Sequence, residues 1–212
     1  MEKTINYYGY SRSEMLEFIP LNVKTVLDIG CGQGLFLKNI KEITNAETWG
    51  VEIIPEIAEK ATINTDKLLI GKIELLYSEI PDSYFDCILF NDVLEHLIEP
   101  TEVLMRIKSK LSDNGIIIAS IPNVRFFFNL YELIFKKDWE YKDSGILDST
   151  HLRFFTQKSM KRMFETAGFK LIRQQGINNG VNPLKFALFN LLTFKILSDS
   201  KYLQFVCIAQ PV

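Results

Sequence analysis

The chain has few cysteines, only two histidines, no excess of either charge and no long apolar run. The three cysteines, Cys31, Cys87 and Cys207, are odd in number and widely spaced in a chain of 212 residues. They read as small hydrophobes, because a disulfide framework needs pairs and a thiolate zinc site needs a tight cluster. Lys and Arg number 24 against 26 Asp and Glu, a formal net charge of −2. Nucleic acid and anionic membranes call for a basic face, so no nucleic-acid partner is expected. No uninterrupted apolar stretch reaches the roughly 18–20 residues of a membrane span. Glu2, Arg12, Glu14 and Glu17 break up the first twenty residues, which therefore lack the core of a secretory signal. A cytoplasmic protein without a transmembrane segment is the expectation. The composition, 47% hydrophobic and 24% charged, is that of a folded chain, and the length suits one domain over 1–212.

Between residues 24 and 121, short β-branched runs alternate with helical patterns. The strand candidates are Thr25–Ile29, Thr48–Ile53, Lys67–Ile70, Phe85–Phe90 and Gly115–Ile121. Their near-continuous apolar character suits strands covered on both faces. Helices are expected at Leu35–Ile43, Pro55–Asn64 and Glu102–Leu111, with a turn at Asp113-Asn114-Gly115. This alternation predicts right-handed crossovers and an α/β, Rossmann-like, doubly wound, mostly parallel sheet.

After Pro122 the pattern changes. Residues 124–141 are dense in aromatics (Phe126, Phe127, Phe128, Tyr131, Phe135, Trp139, Tyr141), and 142–153 are polar. The segment 124–155 reads as a cap over the sheet mouth, with most of its aromatics packed on the sheet. Thr156 caps a helix ending at Gly168, followed by a strand near Phe169–Gln175 and a final one near Tyr202–Ala209. The stretch Leu184–Leu197 is apolar on nearly every face. It is read first as a buried helix, then as a dimer contact, then as a membrane contact.

The most informative segment is VLDIGCGQG, Val26 to Gly34. A strand runs into Gly30-Cys31-Gly32-Gln33-Gly34 and a helix starts at Leu35, which puts the loop at the ligand-binding edge of a doubly wound sheet. A dinucleotide fingerprint would need glycine where Leu35 stands, and a phosphate loop would need Gly-Lys-Ser/Thr. Asp28, at the strand tip, would repel a pyrophosphate and favour an ammonium or sulfonium. A positively charged nucleoside without phosphates fits better than NAD. Glu52, ending the second strand, is placed to accept from ribose hydroxyls.

These residues carry a resemblance. VLDIGCGQG, Glu52 in GVEI, FDCILFNDVLEHL and NGIIIASIPN resemble the class I S-adenosylmethionine-dependent methyltransferases over nearly the whole chain. YYGYSR and GILDSTHLRFFT are similar to a bacterial subgroup often associated with cell-surface glycan genes. The resemblance implies a seven-stranded sheet with an antiparallel last strand and methyl transfer from S-adenosyl-L-methionine. It implies that Asp28, Gly30, Cys31, Gly32 and Gly34 line the methionine part of the cofactor. Glu52 would hold the ribose and Ile53 lie against the adenine. Asn91 and Asp92 would border the reaction centre. Tyr7, Tyr8 and Arg12, from an N-terminal helix within 1–22, would cover the cofactor, Arg12 pairing with its carboxylate. In one departure, Gly71-Lys72-Ile73-Glu74 puts a lysine where the group often has an adenine-accepting acid, leaving a backbone carbonyl, Glu74 or Ser78 for that contact.

An O-methyl transfer needs a proton acceptor for the hydroxyl. His151, in a polar cap loop, is read as base or as loop brace with equal weight. His96 follows Asp92 by four residues, so the two would share a helical face as a carboxylate-oriented base, though a bracing role is favoured. Glu95-His96 has no second histidine four residues on and is not read as a metal motif. Asn123, Arg125 and Arg153 are substrate candidates, against turn formation and surface ion pairing. The expected acceptor is a small-molecule or lipid-linked glycan. The alternatives are a quinone-like lipid phenol, or a non-catalytic cofactor-binding module acting through a partner, with a homodimer left open.

Overall fold

The computed structural model describes residues 11–181, 186, 190, 191 and 193–212. Seven strands form one sheet in the order β3-β2-β1-β4-β5-β7-β6. The strands are β1 (Thr25–Ile29), β2 (Glu47–Glu52), β3 (Lys67–Ile70), β4 (Phe85–Asn91), β5 (Leu111–Pro122), β6 (Phe169–Asn179) and β7 (Tyr202–Pro211). The first five are mutually parallel, and β7 runs antiparallel to both β5 and β6. The order reverses at β1, whose neighbours are β2 and β4, so the loop after β1 opens into the crevice where such sheets bind ligands.

Two apolar cores flank the sheet, as continuous Val/Ile/Leu strands require. One gathers Leu27, Phe85, Phe90, Leu104, Phe164 and Phe169, among others. The other packs Met15, Val26, Leu37, Ile40, Leu89 and Val206. The helices that cover them are α1 (Leu35–Thr44), α2 (Pro55–Ala61), α3 (Ile73–Leu76), α4 (Pro100–Ile107) and α6 (Gln157–Thr166), while α5 (Phe127–Tyr131) belongs to the cap segment. Pro55 and Pro100 each open a helix, where a missing N–H costs nothing. Thr156 caps α6 through a reciprocal pair with Ser159, the side chain of each taking the other's N–H. All three cysteines are buried free thiols.

Three sequence expectations change. The Asp113-Asn114-Gly115 turn lies inside β5, where pairing with β4 jumps from Phe85↔Leu111 to Cys87↔Ile116. The turn residues are accommodated as a bulge rather than a strand boundary. In the cap, Phe128, Tyr131, Phe135 and Tyr141 are exposed, and Phe126 is the buried member, packed with Ile146 and Leu147. The cap is built on loops, α5 and one π-helical turn (Glu132–Lys136), which leaves no long face to bury the whole aromatic set. The N-terminal segment is a short 3₁₀ helix, Ser13–Phe18, within the described residues. Tyr7 and Tyr8 lie outside them, as does much of Leu184–Leu197. Of that stretch, Phe186 is buried, whereas Leu191, Phe194 and Ile196 are exposed, Phe194 to 88%. Among the described residues no helix is long and apolar enough to cross a membrane.

Candidate active site

The glycine loop closes against the tip of β2. Gly30 N–H and Cys31 N–H both donate to Val51 O, at 2.8 and 3.0 Å. Gly32 N–H donates to Glu52 Oε2 at 2.9 Å, and Ile54 N–H to Glu52 Oε1 at 3.0 Å. Gly30 takes φ 76°, and a Cβ there would stand 2.6 Å from Val93 Cγ2, so backbone conformation and space both demand glycine. Both Glu52 oxygens take backbone N–H groups, which fixes the carboxylate and leaves it lone pairs for a further donor. Ile53 follows it, half-exposed at the same edge.

Asp28 lies beneath this loop, 3% exposed. Burial pushes its carboxyl up to about 8, with Arg12 opposing and Glu52 reinforcing. Burial also raises Glu52, opposed by the N–H groups of Ile54 and Gly32. Asp28 Oδ1 and both amide atoms of Asn91 are buried without a hydrogen-bond partner among the described residues. Orphaned polar atoms of this kind are costly unless something fills the crevice. A group bearing an ammonium, a sulfonium and a ribose meets these needs: Asp28 and Asn91 for cationic and polar atoms, Glu52 for hydroxyls, glycine backbone for close approach. The residues fit S-adenosylmethionine.

Beyond β4 the chain turns sharply at Asp92, which has φ 54°. Its carboxylate is engaged by the Arg12 guanidinium and accepts from Gln204 Nε2 at 2.6 Å and Ser120 Oγ at 3.3 Å. Arg12 Nη2 also donates to Ser120 Oγ at 2.6 Å. Burial raises the Asp92 carboxyl, against Arg12 and Ser120. The helical pairing of Asp92 with His96 is therefore corrected. Helix begins only at Leu94, as a three-residue 3₁₀ turn to His96, and the left-handed Asp92 backbone points its carboxylate toward β5 and β7. Arg12, foreseen as a partner for the cofactor's carboxylate, pairs here with Asp92.

The cap loop is tied to that turn. Leu152 N–H and Arg153 N–H both donate to Glu95 O, at 2.9 and 3.0 Å. The clamp sets the His151 ring against His96, centroids 4.6 Å apart. His151 Nδ1 lies 2.9 Å from Ile146 O, and its Nε2 lies 3.9 Å from Glu95 Oε1. Glu95 and His151 are buried to 1% and 6% exposure.

This crevice has acidic strand tips, a glycine cradle and a capped polar end. The methyltransferase domain family matches residues 6–174. The chain belongs to that family.

The methyltransferase domain is 27% identical over 150 residues to the malonyl-[acyl-carrier protein] O-methyltransferase of Halalkalibacterium halodurans, covering 67% of this chain and 54% of that one. It is 30% identical over 104 residues to the mitochondrial ubiquinone biosynthesis O-methyltransferase of Schizosaccharomyces pombe, covering 46% and 37%. The chain thus spans about half or less of these curated relatives' lengths. An S-adenosylmethionine-dependent methyltransferase from Archaeoglobus fulgidus superposes with a TM-score of 0.71 at 21% identity, over 96% of both chains. That likeness shows the fold.

In this methyltransferase domain the three substrate candidates have structural duties. Asn123 is fully buried, donating to Asp199 O and Tyr202 O at 3.0 Å each and accepting from Arg125 N–H. Arg125 forks onto Asp199 at 2.7 and 3.2 Å and donates to Ile196 O. Together they fasten the end of β5 to the start of β7. Arg153 lies on the surface beside Ile98 O and Glu99. Lys72, exposed, precedes α3 as its N-cap. Sequence reasoning weighed Glu95 only within a metal motif that it set aside, and passed over Ser120 and Gln204. The signal for the last two was a polar residue inside an otherwise apolar, doubly covered strand.

Proposed function

We propose that this chain transfers a methyl group from S-adenosylmethionine to a hydroxyl oxygen, with a sugar or glycan precursor as acceptor. The carrying observation is the buried pair Asp28 and Glu52 around the glycine cradle, an environment that favours a cationic nucleoside over a phosphorylated one. When bound, S-adenosylmethionine supplies an electrophilic methyl group. Asp28 and Asn91 offer their unpartnered atoms to its charged end, and Glu52 takes the ribose hydroxyls. The Arg12–Asp92–Gln204 network braces the crevice wall beside Asn91.

The acceptor oxygen would form the new C–O bond as the methyl–sulfur bond breaks, its electron pair leaving with the sulfur as the neutral thioether of S-adenosylhomocysteine, and the oxygen's proton would pass to the Glu95, His96 and His151 end of the site. Facing a carbonyl, His151 Nδ1 carries the hydrogen, so the lone pair is on Nε2, on the Glu95 side. The oxygen acceptor is supported by the names of the two curated relatives described above, each an O-methyltransferase. The glycan class is supported by the polar character of 142–153 and by the family resemblance in GILDSTHLRFFT. A quinone-like lipid phenol is the second reading, favoured by the exposed Phe128, Tyr131, Ile134 and Phe135 on the cap.

The test is incubation of purified protein with methyl-labelled S-adenosylmethionine and fractionated extract of the source organism. Label in polysaccharide or lipid-linked glycan, lost in Gly32→Arg, supports the proposal. Label in free lipid favours the phenol. No label, with S-adenosylhomocysteine still bound, points to a non-catalytic module.

A further inference from the structure

Glu95, His96 and His151 each present a ligating atom, and these atoms lie within 4.8 Å of one another. We propose that they form a binding site for a divalent transition-metal ion, with Zn²⁺, Co²⁺ and Fe²⁺ as the chemical class. Linear spacing offered Glu95-His96 no second histidine, and the fold supplies it from the cap loop.

The histidines are prepared for such a role by hydrogen bonds on their far nitrogens. His151 Nδ1 is 2.9 Å from Ile146 O, and a carbonyl only accepts, so Nδ1 carries the hydrogen. His96 Nδ1 is 3.1 Å from Thr150 O and 3.2 Å from Thr150 Oγ1. The single Thr150 hydroxyl hydrogen goes to Asp148 Oδ1 at 2.7 Å, so toward His96 both Thr150 oxygens accept. His96 Nδ1 is therefore also the donor, and both rings keep their lone pair on Nε2. Imidazoles fixed in one tautomer by a carbonyl behind them are the usual surroundings of a metal ion. Asp148, 1% exposed, also takes Thr150 N–H at 2.9 Å and so steadies that arrangement.

The third donor is a carboxylate buried to 1% exposure, a setting in which an anion gains strongly from positive charge beside it. A dication seated between Glu95 and the two imidazoles adds positive charge at that carboxylate. Tetrahedral Zn²⁺ at about 2.1 Å from each ligand sets donors about 3.4 Å apart. His151 Nε2 and Glu95 Oε1 stand at 3.9 Å, and the whole set lies within 4.8 Å, so ligation requires the side chains to draw together. The backbone is already held, because Glu95 O takes both Leu152 N–H and Arg153 N–H. Two imidazoles and one carboxylate select a borderline ion over Mg²⁺ or Ca²⁺ and leave open positions for an outside oxygen. With the ion bound the imidazole lone pairs are occupied, so the ion would take over their part: an acceptor hydroxyl at such a position would lose its proton more readily, to water. That use rests on the methyl-transfer reading, whereas ion binding does not.

The experiment titrates chelator-treated, dialysed protein with Zn²⁺ alone and Co²⁺ alone, by calorimetry and visible absorption. The expected result is one ion per chain, with affinity lowered at least tenfold in Glu95→Gln, His96→Gln and His151→Gln. X-ray absorption on the Zn²⁺-loaded natural protein should show two imidazole nitrogens, a readout that requires no variant to fold. No stoichiometric ion, or a coordination sphere without imidazole, overturns the proposal. So does unchanged affinity in all three variants. Asp28→Asn separates the two readings: it should keep the ion and lose S-adenosylhomocysteine. Ion binding without any methyl transfer would sustain the metal site and overturn the methyl-transfer reading.

Discussion

Replacing Asp28 by asparagine sets stability against ligand binding. Burial raises the Asp28 carboxyl from 3.8 to about 8. Below pH 3.8 it is protonated in both folded and unfolded chains and contributes no pH dependence. Between 3.8 and about 8 the folded chain holds a proton that the unfolded chain has released, so stability falls as pH rises. The slope is about 1.4 kcal/mol per pH unit, and the accumulated cost at pH 8 is at most about 5 kcal/mol. The amide of the variant has no charge to bury, so Asp28→Asn should be the more stable protein at pH 8, by about 2–5 kcal/mol. The difference should shrink to near zero at pH 4. Urea denaturation of both proteins from pH 5 to 9 measures this directly. Calorimetry with S-adenosylhomocysteine should move the opposite way. Ionised Asp28 attracts the ligand's ammonium, so affinity of the natural protein rises toward pH 8 with proton release, while the variant binds weakly and flatly. Stability curves that run parallel for the two proteins would refute the burial argument. A variant that binds as tightly as the natural protein would refute the role of the carboxylate.

Three further outcomes follow from the same geometry. Glu52→Gln leaves an amide that can accept at only one atom where a carboxylate takes both Gly32 and Ile54 N–H. Loss of one charge-assisted bond, about 1.5–3 kcal/mol, should weaken S-adenosylhomocysteine binding at least tenfold by calorimetry. Gly30→Ala combines a left-handed backbone with a Cβ 2.6 Å from Val93 Cγ2, and should cost about 2–4 kcal/mol in denaturant unfolding. Adding Val93→Ala should recover the steric part but not the conformational part. Asn123→Ala removes two donated bonds and one accepted bond from a fully buried side chain. It should cost about 2–4 kcal/mol of stability, yet leave S-adenosylhomocysteine affinity within a factor of two. A large loss of affinity at full folding would return Asn123 to the binding residues.

Much of the nucleotide end is legible in the sequence. Val26 to Gly34 and Glu52 are local signals: an apolar run, glycines that φ 76° and 73° at Gly30 and Gly34 require, and an acid at a strand end. Chain order alone then sets them side by side, because right-handed crossovers between parallel strands leave few arrangements. Thr156 as a helix cap is legible for the same reason, since a cap depends on three neighbouring residues.

The acceptor end rests on tertiary contacts. Whether Asp92 could serve His96 turned on one left-handed residue, which spacing along a helix does not reveal. Arg125 and Asn123 are satisfied by Asp199, at the entry to β7, a partner no local pattern announces. The meeting of His96 with His151, and the burial of Glu95 beside them, depend on two cap-loop N–H groups reaching one carbonyl beyond β4. Periodicity and short-range backbone sterics thus suffice for the parallel part of the sheet, the glycine cradle and the acidic strand tips, all of which can be read along the chain, whereas the seven strands and the antiparallel last one were implied by the family resemblance. The grouping of Glu95, His96 and His151 cannot, because hydrogen bonds between segments distant in the chain form only after the sheet has brought their ends together.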